Sequence, residues 1–158
     1  MSHAATPEQV VRAVAAGVSA LVAGRLTDQQ RQVQVDQLAD LYAEHTDVRH
    51  PLAPLGDTPL RTRDELRRHF AEAPDARGFD RFEAEGEVHQ TADPEVVVFE
   101  FRYVGSVDGH SFALPCIFVT RVRDGVIIES RDYGDHVGLA RTFGRLGDLA
   151  TALANESR

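Results

Sequence analysis

Two Asp-Gly pairs, Asp108-Gly109 and Asp124-Gly125, cut the second half of this 158-residue chain into long alternating segments. Asp-Gly favours the tight turns that reverse a strand, because both central positions of such a turn need a left-handed backbone. Glu95 to Val107, His110 to Arg123 and the run from Val126 onward are therefore expected as consecutive antiparallel strands. Arg81 to Gln90 alternates as well, with Phe82, Ala84, Gly86 and Val88 on one side and Arg81, Glu83, Glu85, Glu87 and His89 on the other. A meander of this length must bury one face.

The first half supplies the cover. Val10, Val11, Val14, Val18, Leu21 and Val22 recur at helical spacing behind Pro7, and Gly24 ends the run. Thr27-Asp-Gln-Gln30 reads as a capping box opening a second helix, with Val35, Leu38, Leu41 and Tyr42 on its apolar stripe. Thr62-Arg-Asp-Glu65 is another box, opening a short helix through Leu66 and Phe70 that stops before Pro74. Val48 to Leu52 reads as a short strand, and the Pro- and Gly-rich stretch from Pro51 to Pro59 as a loop. Helices followed by an antiparallel sheet define an α+β class in which the helices cover one sheet face. The whole of residues 1–158 is expected to form a single domain.

Composition excludes several roles. A formal net charge of −8, with arginines interleaved among acids, argues against nucleic-acid and anionic membrane partners. Cys116 is the one cysteine, so no intrachain disulfide or thiolate metal cage can form, and its apolar surroundings mark it as a small core residue. His-x-His and Glu-x-x-His spacings are absent, so no dedicated metal site is expected; no serine nucleophile motif occurs either. The N-terminal Met1 to Gln9 lacks the pattern of a secretory signal, no run has membrane-spanning length, and a reduced, cytoplasmic setting is expected.

Strand parity then separates two faces. Val97, Phe99, Phe101 and Tyr103 share one side of their strand, and Phe112, Leu114, Cys116 and Phe118 one side of the next. Placing these inward gathers Glu83, Glu85, Glu100, Arg102, Arg121, Arg123, Glu129 and Arg131 on an outer face, where they can pair across strands. On the last strand Val126, Ile128, Ser130 and Asp132 share the inward parity. Asp132 is thus an acid at the floor of an apolar cavity, and His50, sharing a face with Val48, is a second polar exception. A buried carboxylate must be paired, hydrogen-bonded or neutral. A His50–Asp132 pair would orient the imidazole as a general base. Tyr42 and Tyr103 could present hydroxyls to the cavity or be plain core. His136 has the parity of Asp132 but follows Gly134, and His45, His69, His89 and His110 read as surface or helix-end residues.

The helix pair, the short strand ending in His50-Pro51, the capped helix and the meander closing in Arg131-Asp-Tyr-Gly-Asp135 together resemble the nuclear transport factor 2-like superfamily. Within it, the likeness is to the branch of SnoaL-like polyketide cyclases, ketosteroid isomerases and limonene epoxide hydrolases. That resemblance implies a cone-shaped, curved antiparallel sheet wrapped around N-terminal helices, a cystatin-like α+β barrel. His50 falls where the isomerases keep a catalytic aspartate and the hydrolases a water-holding asparagine; Asp132 falls on one of the hydrolase acids. The hydrolase Arg-x-Asp is replaced in register by Phe99 and Phe101, with Glu100-Phe-Arg102 one step away. The isomerase oxyanion acid falls near Ile117. The resemblance implies a homodimer, for which the outer sheet face is the expected interface.

These readings converge on a cofactor-independent enzyme that binds a small, largely apolar molecule and performs isomerisation, cyclisation, dehydration or epoxide opening with His50 and Asp132. Tyr42, Phe82, Phe99, Phe101, Tyr103, Leu114, Cys116, Phe118 and Ile128 would line the walls. A non-catalytic ligand-binding or dimeric accessory protein of the same fold is the alternative.

Overall fold

The computed structural model describes residues 4–74 and 79–156, so the first three residues of the N-terminal stretch read above lie outside it. Helix α1 spans Pro7–Val22, α2 Asp28–Ala39 and α3 Arg63–Ala71. Each is opened by a threonine, Thr6, Thr27 or Thr62, whose hydroxyl accepts from the third backbone N–H of the helix while a Gln or Glu there caps in return. The second helix is shorter than its apolar spacing suggests. It caps at Asp40, and Tyr42 already begins strand β1, Tyr42–Arg49, so Leu41 and Tyr42 belong to the exit from α2 and not to its stripe.

A short strand β2, Leu60–Thr62, emerges from the Pro-rich loop, followed after α3 by β3, Phe79–Gln90, β4, Val96–Val107, β5, His110–Arg123, and β6, Val126–Gly134. Two helices, α4 (His136–Thr142) and α5 (Leu146–Glu156), close the chain. The sheet order is β2-β1-β6-β5-β4-β3; β1 runs parallel to β6 and every other neighbour is antiparallel. Helix α1 packs across β3, β4 and β5, while α3 packs on α2 and β1. No helix among the described residues is long and apolar enough to cross a membrane.

The faces divide as strand parity requires. Val97, Phe99 and Phe101 are buried, with Phe99 stacked on Phe101 at 4.4 Å and Phe101 meeting Phe118 edge-on at 4.8 Å. On the outer face Arg102 pairs with Glu85, and Glu95 takes both Arg121 and Arg123. Two inward assignments fail, Val126 and Ile128. Arg121 pairs with Glu129 but Val122 pairs with Ile127, so Ile128 is the extra residue of a β-bulge. The bulge turns Ile127 into the core at 2% exposure, removes Val126 and Ile128 from the inward set, and leaves Ser130 and Asp132 in it.

Gly105 marks where β3 and β4 press together, for a Cβ there would overlap the Arg81 carbonyl. Replacing Gly105 by alanine should therefore lower stability by about 1–3 kcal/mol, the usual cost of overpacking, as measured by chemical denaturation.

Candidate active site

A cavity of about 180 Å³ lies between the inner sheet face, helices α1 and α3, and the start of α4. The sheet contributes Tyr103, Leu114, Cys116, Phe118 and Asp132; β1 contributes Tyr42 and Val48. Val14 and Val18 of α1 and Leu66 and Phe70 of α3 form the helical wall. His50, His69 and His136 complete it, with Leu139 at its exposed end. Among the described residues, no arginine or lysine lines it.

Of the wall residues predicted from sequence, Tyr42, Tyr103, Leu114, Cys116 and Phe118 border this cavity. Phe82, Phe99, Phe101 and Ile128 do not. Phe99 and Phe101 are consumed by the aromatic stack that fills the cone, and Phe82 joins a separate cluster with Val22 and Phe79. Ile128 is lost to the bulge. Glu100 and Arg102 are exposed on the outer face, as is Ile117, so the replacements noted for the hydrolase and isomerase motifs are not made good from neighbouring positions.

The register of β1 against β6 brings the two candidate catalytic groups together. Val48 is opposite Ser130 and Arg49 opposite Arg131, so His50 and Asp132 follow side by side. The His50 Nε2 stands 3.8 Å from Asp132 Oδ2, proximity without a direct hydrogen bond. Asp57 receives the His50 backbone N–H at 2.8 Å and fixes the turn at Pro51. Asp132 accepts a 2.6 Å hydrogen bond from the Ser130 hydroxyl, which is itself linked to Thr120 at 2.9 Å. Arg131 points the other way, to Asp47.

Asp132 therefore lies in apolar surroundings with hydroxyl support and, among the described residues, no arginine or lysine against it. Desolvation pushes its carboxyl up to about 7, opposed by the Ser130 hydrogen bond and more weakly by the charge of Arg131. Burial drives His50 the opposite way, to about 4, helped by its neighbours His69 and His136. The ordinary order of acid and imidazole is inverted: between about pH 4 and pH 7 the pair rests as a protonated carboxyl beside a neutral imidazole, and near pH 7 the carboxyl is about half ionised. Tyr42 and Tyr103 are pushed well above the usual phenol range, by burial first and then by Asp132 for Tyr42, and by burial, Cys116 and Asp132 for Tyr103. Burial raises the Cys116 thiol to about 12, so it is no nucleophile.

Two further histidines join this site: His69, read from sequence as a surface or helix-end residue, and His136, which has the parity of Asp132 but follows Gly134. His69 sits at the end of α3 with an exposed edge, yet its ring lies 5.5 Å from that of His50 and borders the cavity. His136 begins α4, and its Nε2 is, among the described residues, a buried polar side-chain atom with no hydrogen-bond partner. Leaving such an atom unpaired costs about 1–3 kcal/mol. Burial lowers the proton affinity of both rings. The helical spacing of Leu66, His69 and Phe70 was the available signal for His69. Nothing in the sequence announced the turn that carries His136 back. No group of three His, Cys, Asp or Glu side chains among the described residues is placed to hold a metal ion.

A curved sheet wrapped around helices, with an apolar cavity in the cone, defines the nuclear transport factor 2-like, ketosteroid isomerase-like class. The chain belongs to the SnoaL-like domain family, whose model matches residues 9–130. It is similar in structure to a hypothetical protein with a ketosteroid isomerase-like fold from Catenulispora acidiphila, in complex with trimethylamine: 20% identity, 91% of this chain and 98% of that one covered, TM-score 0.61. A phenazine biosynthesis-related protein from Pseudomonas aeruginosa aligns at 16% identity over 86% of this chain and 85% of that one, with a TM-score of 0.55. No curated protein sequence matches the chain.

The inverted pair has a linkage signature. A carboxyl held at about 7 when folded and about 3.9 when unfolded contributes stability below pH 4 that is lost as pH rises through 7. His50, held at about 4, has the opposite slope: stability present above about 6.5 is lost as pH falls toward 4. Asp132→Asn should thus be more stable than wild type at pH 8, on the order of 2–4 kcal/mol, with the gain nearly gone at pH 4, as read from denaturation curves.

Proposed function

We propose that the cavity is the active site of an enzyme in which Asp132 is the general acid and His50 the general base, acting without a cofactor on a small, largely apolar substrate. The observation that carries this reading is a carboxyl in apolar surroundings, held by one hydroxyl donor and 3.8 Å from a second titratable group at one cavity. In a dehydration or epoxide opening, Asp132 would give its proton to the departing oxygen; in an isomerisation or cyclisation, to the oxygen or carbon that gains electron density. His50 would take a proton from the reacting carbon or from water. The resulting imidazolium, with a proton affinity near 4, returns its proton downhill to a carboxylate near 7. The pair resets itself without drawing a proton from solution, which suits reactions that move protons within one molecule.

The gap between His50 and Asp132, too long for a direct hydrogen bond, favours a second reading, a non-catalytic ligand-binding or accessory protein. That reading requires no titrating group to matter. A homodimer through the outer sheet face, where Ile117 is 39% exposed, is compatible with either.

Turnover on small enones, epoxides and β-hydroxy carbonyl compounds, followed by product analysis, separates the two. Asp132→Asn should lower kcat by about 10²–10⁴-fold with the fold intact. Wild-type kcat should be highest between pH 4 and pH 7, falling above as Asp132 ionises and below as His50 protonates. Unchanged turnover in Asp132→Asn would remove the acid from the mechanism.

A further inference from the structure

The two hydroxyls behind Asp132 have a direction. Thr120 of β5 and Ser130 of β6 are cross-strand partners, and Ser130 and Asp132 lie on one face of β6. On its other side Thr120 is paired with Val97 of β4, and Ser130 with Val48 of β1. Both valines are apolar and almost fully buried, so the row of polar atoms does not run on sideways. Among the described residues the Thr120 hydroxyl has a single polar partner, Ser130 Oγ at 2.9 Å, and Ser130 Oγ also meets Asp132 Oδ1 at 2.6 Å. Thr120 is 1% exposed and Ser130 2%, so bulk water reaches neither.

Each hydroxyl carries one hydrogen. If Thr120 donates to Ser130, then Ser130 donates to Oδ1 and both buried hydrogens have acceptors. Run the other way, from a protonated Oδ1 through Ser130 to Thr120, the row would leave the Thr120 hydrogen inside the sheet with no acceptor, which is penalised. The first arrangement prevails. It makes Oδ1 an acceptor whether the acid is neutral or ionised, and sends the carboxyl's own proton to Oδ2. That oxygen stands 3.8 Å from His50 Nε2, on a side chain that keeps 14% of its surface accessible and borders the cavity. The proton can leave Oδ2 and return to it while neither hydroxyl turns, the preorganised condition for acid catalysis.

Building on the reading of Asp132 as the general acid, we propose that Ser130 and, behind it, Thr120 are positioning residues: they occupy Oδ1 and thereby place the acid's proton on Oδ2, beside His50. The surrounding groups leave the titration of Asp132 readable. Tyr42 and His50 come from β1 and its end, Tyr103 from β4, Cys116 from β5, and His69 and His136 from α3 and α4. Burial holds the phenols and the thiol neutral well above pH 7 and lowers the proton affinity of the three imidazoles. Helix α1 presents Val14 and Val18, Asp135 borders the same cavity, and Arg131 is turned to Asp47.

Carboxyl ¹³C NMR titration of the full chain tests this without a substrate. Ser130→Ala removes the donor to Oδ1 and should raise the Asp132 midpoint by about one pH unit. The alkaline limb of the kcat profile should move with it. Thr120→Val should raise the midpoint less, and Thr120→Ser, which alters volume more than valine does, should restore it. Neutron diffraction from wild-type crystals grown in deuterated buffer near pH 5, between the two midpoints, needs no variant to fold. Deuterium should stand on Asp132 Oδ2, and the Ser130 hydroxyl deuterium should point to Oδ1. Deuterium on Oδ1, or a midpoint unmoved or lowered by Ser130→Ala, would overturn the assignment and leave the acid reading standing. The expected direction together with unchanged turnover in Asp132→Asn would instead bring down the acid reading, and the positioning role with it.

Discussion

A carboxyl group buried in an apolar cone, with no arginine or lysine against it among the described residues, is the constraint from which the site follows. Full ionisation there would cost several kcal/mol, a large share of the roughly 5–15 kcal/mol that holds a domain together. The fold meets that cost by letting the group keep its proton and by supplying one hydroxyl chain, from Thr120 through Ser130 to Asp132, both hydroxyl residues being nearly inaccessible. The arginine next in sequence is spent on Asp47, on the other face of the sheet. A neutral acid results.

The sheet topology turns that acid into half of a pair. Among the described strands only β1 and β6 run parallel, and their register sets His50 beside Asp132 near the point where both strands end. Strand ends leave the backbone free to turn, at Pro51 after His50 and at Gly134 after Asp132, and so open the space that the Phe99–Phe101–Phe118 packing closes elsewhere. Stability and chemistry divide the cone between them: aromatic rings fill its centre, and titratable groups gather where the rings stop.

Much of this was legible in the sequence because short-range rules govern it. The threonine capping boxes, the Asp-Gly turns and the alternating aromatic positions each act over a few residues, and Asp132 took its inward place as parity required. The misses have separate causes. A bulge is a one-residue irregularity that parity cannot see, and it exchanged Ile128 for Ile127 without disturbing Asp132 only because its extra residue precedes Ser130. Leu41 and Tyr42 kept a helical spacing past Asp40, where the helix had ended. His69 and His136 come to the cavity through tertiary packing, His69 from the far end of α3 and His136 from a turn set by the Asp135 cap, which helical spacing and strand parity alone do not reveal.

The protonation state of Asp132 is the quantity on which the account turns. A ¹³C-carboxyl NMR titration, with the Asp132 resonance assigned by its disappearance in Asp132→Asn, measures it directly. A midpoint near pH 7 is the result expected of a buried acid that keeps its proton beside a neutral His50. A midpoint at or below about 4, the ordinary value of a solvated aspartate, would contradict it.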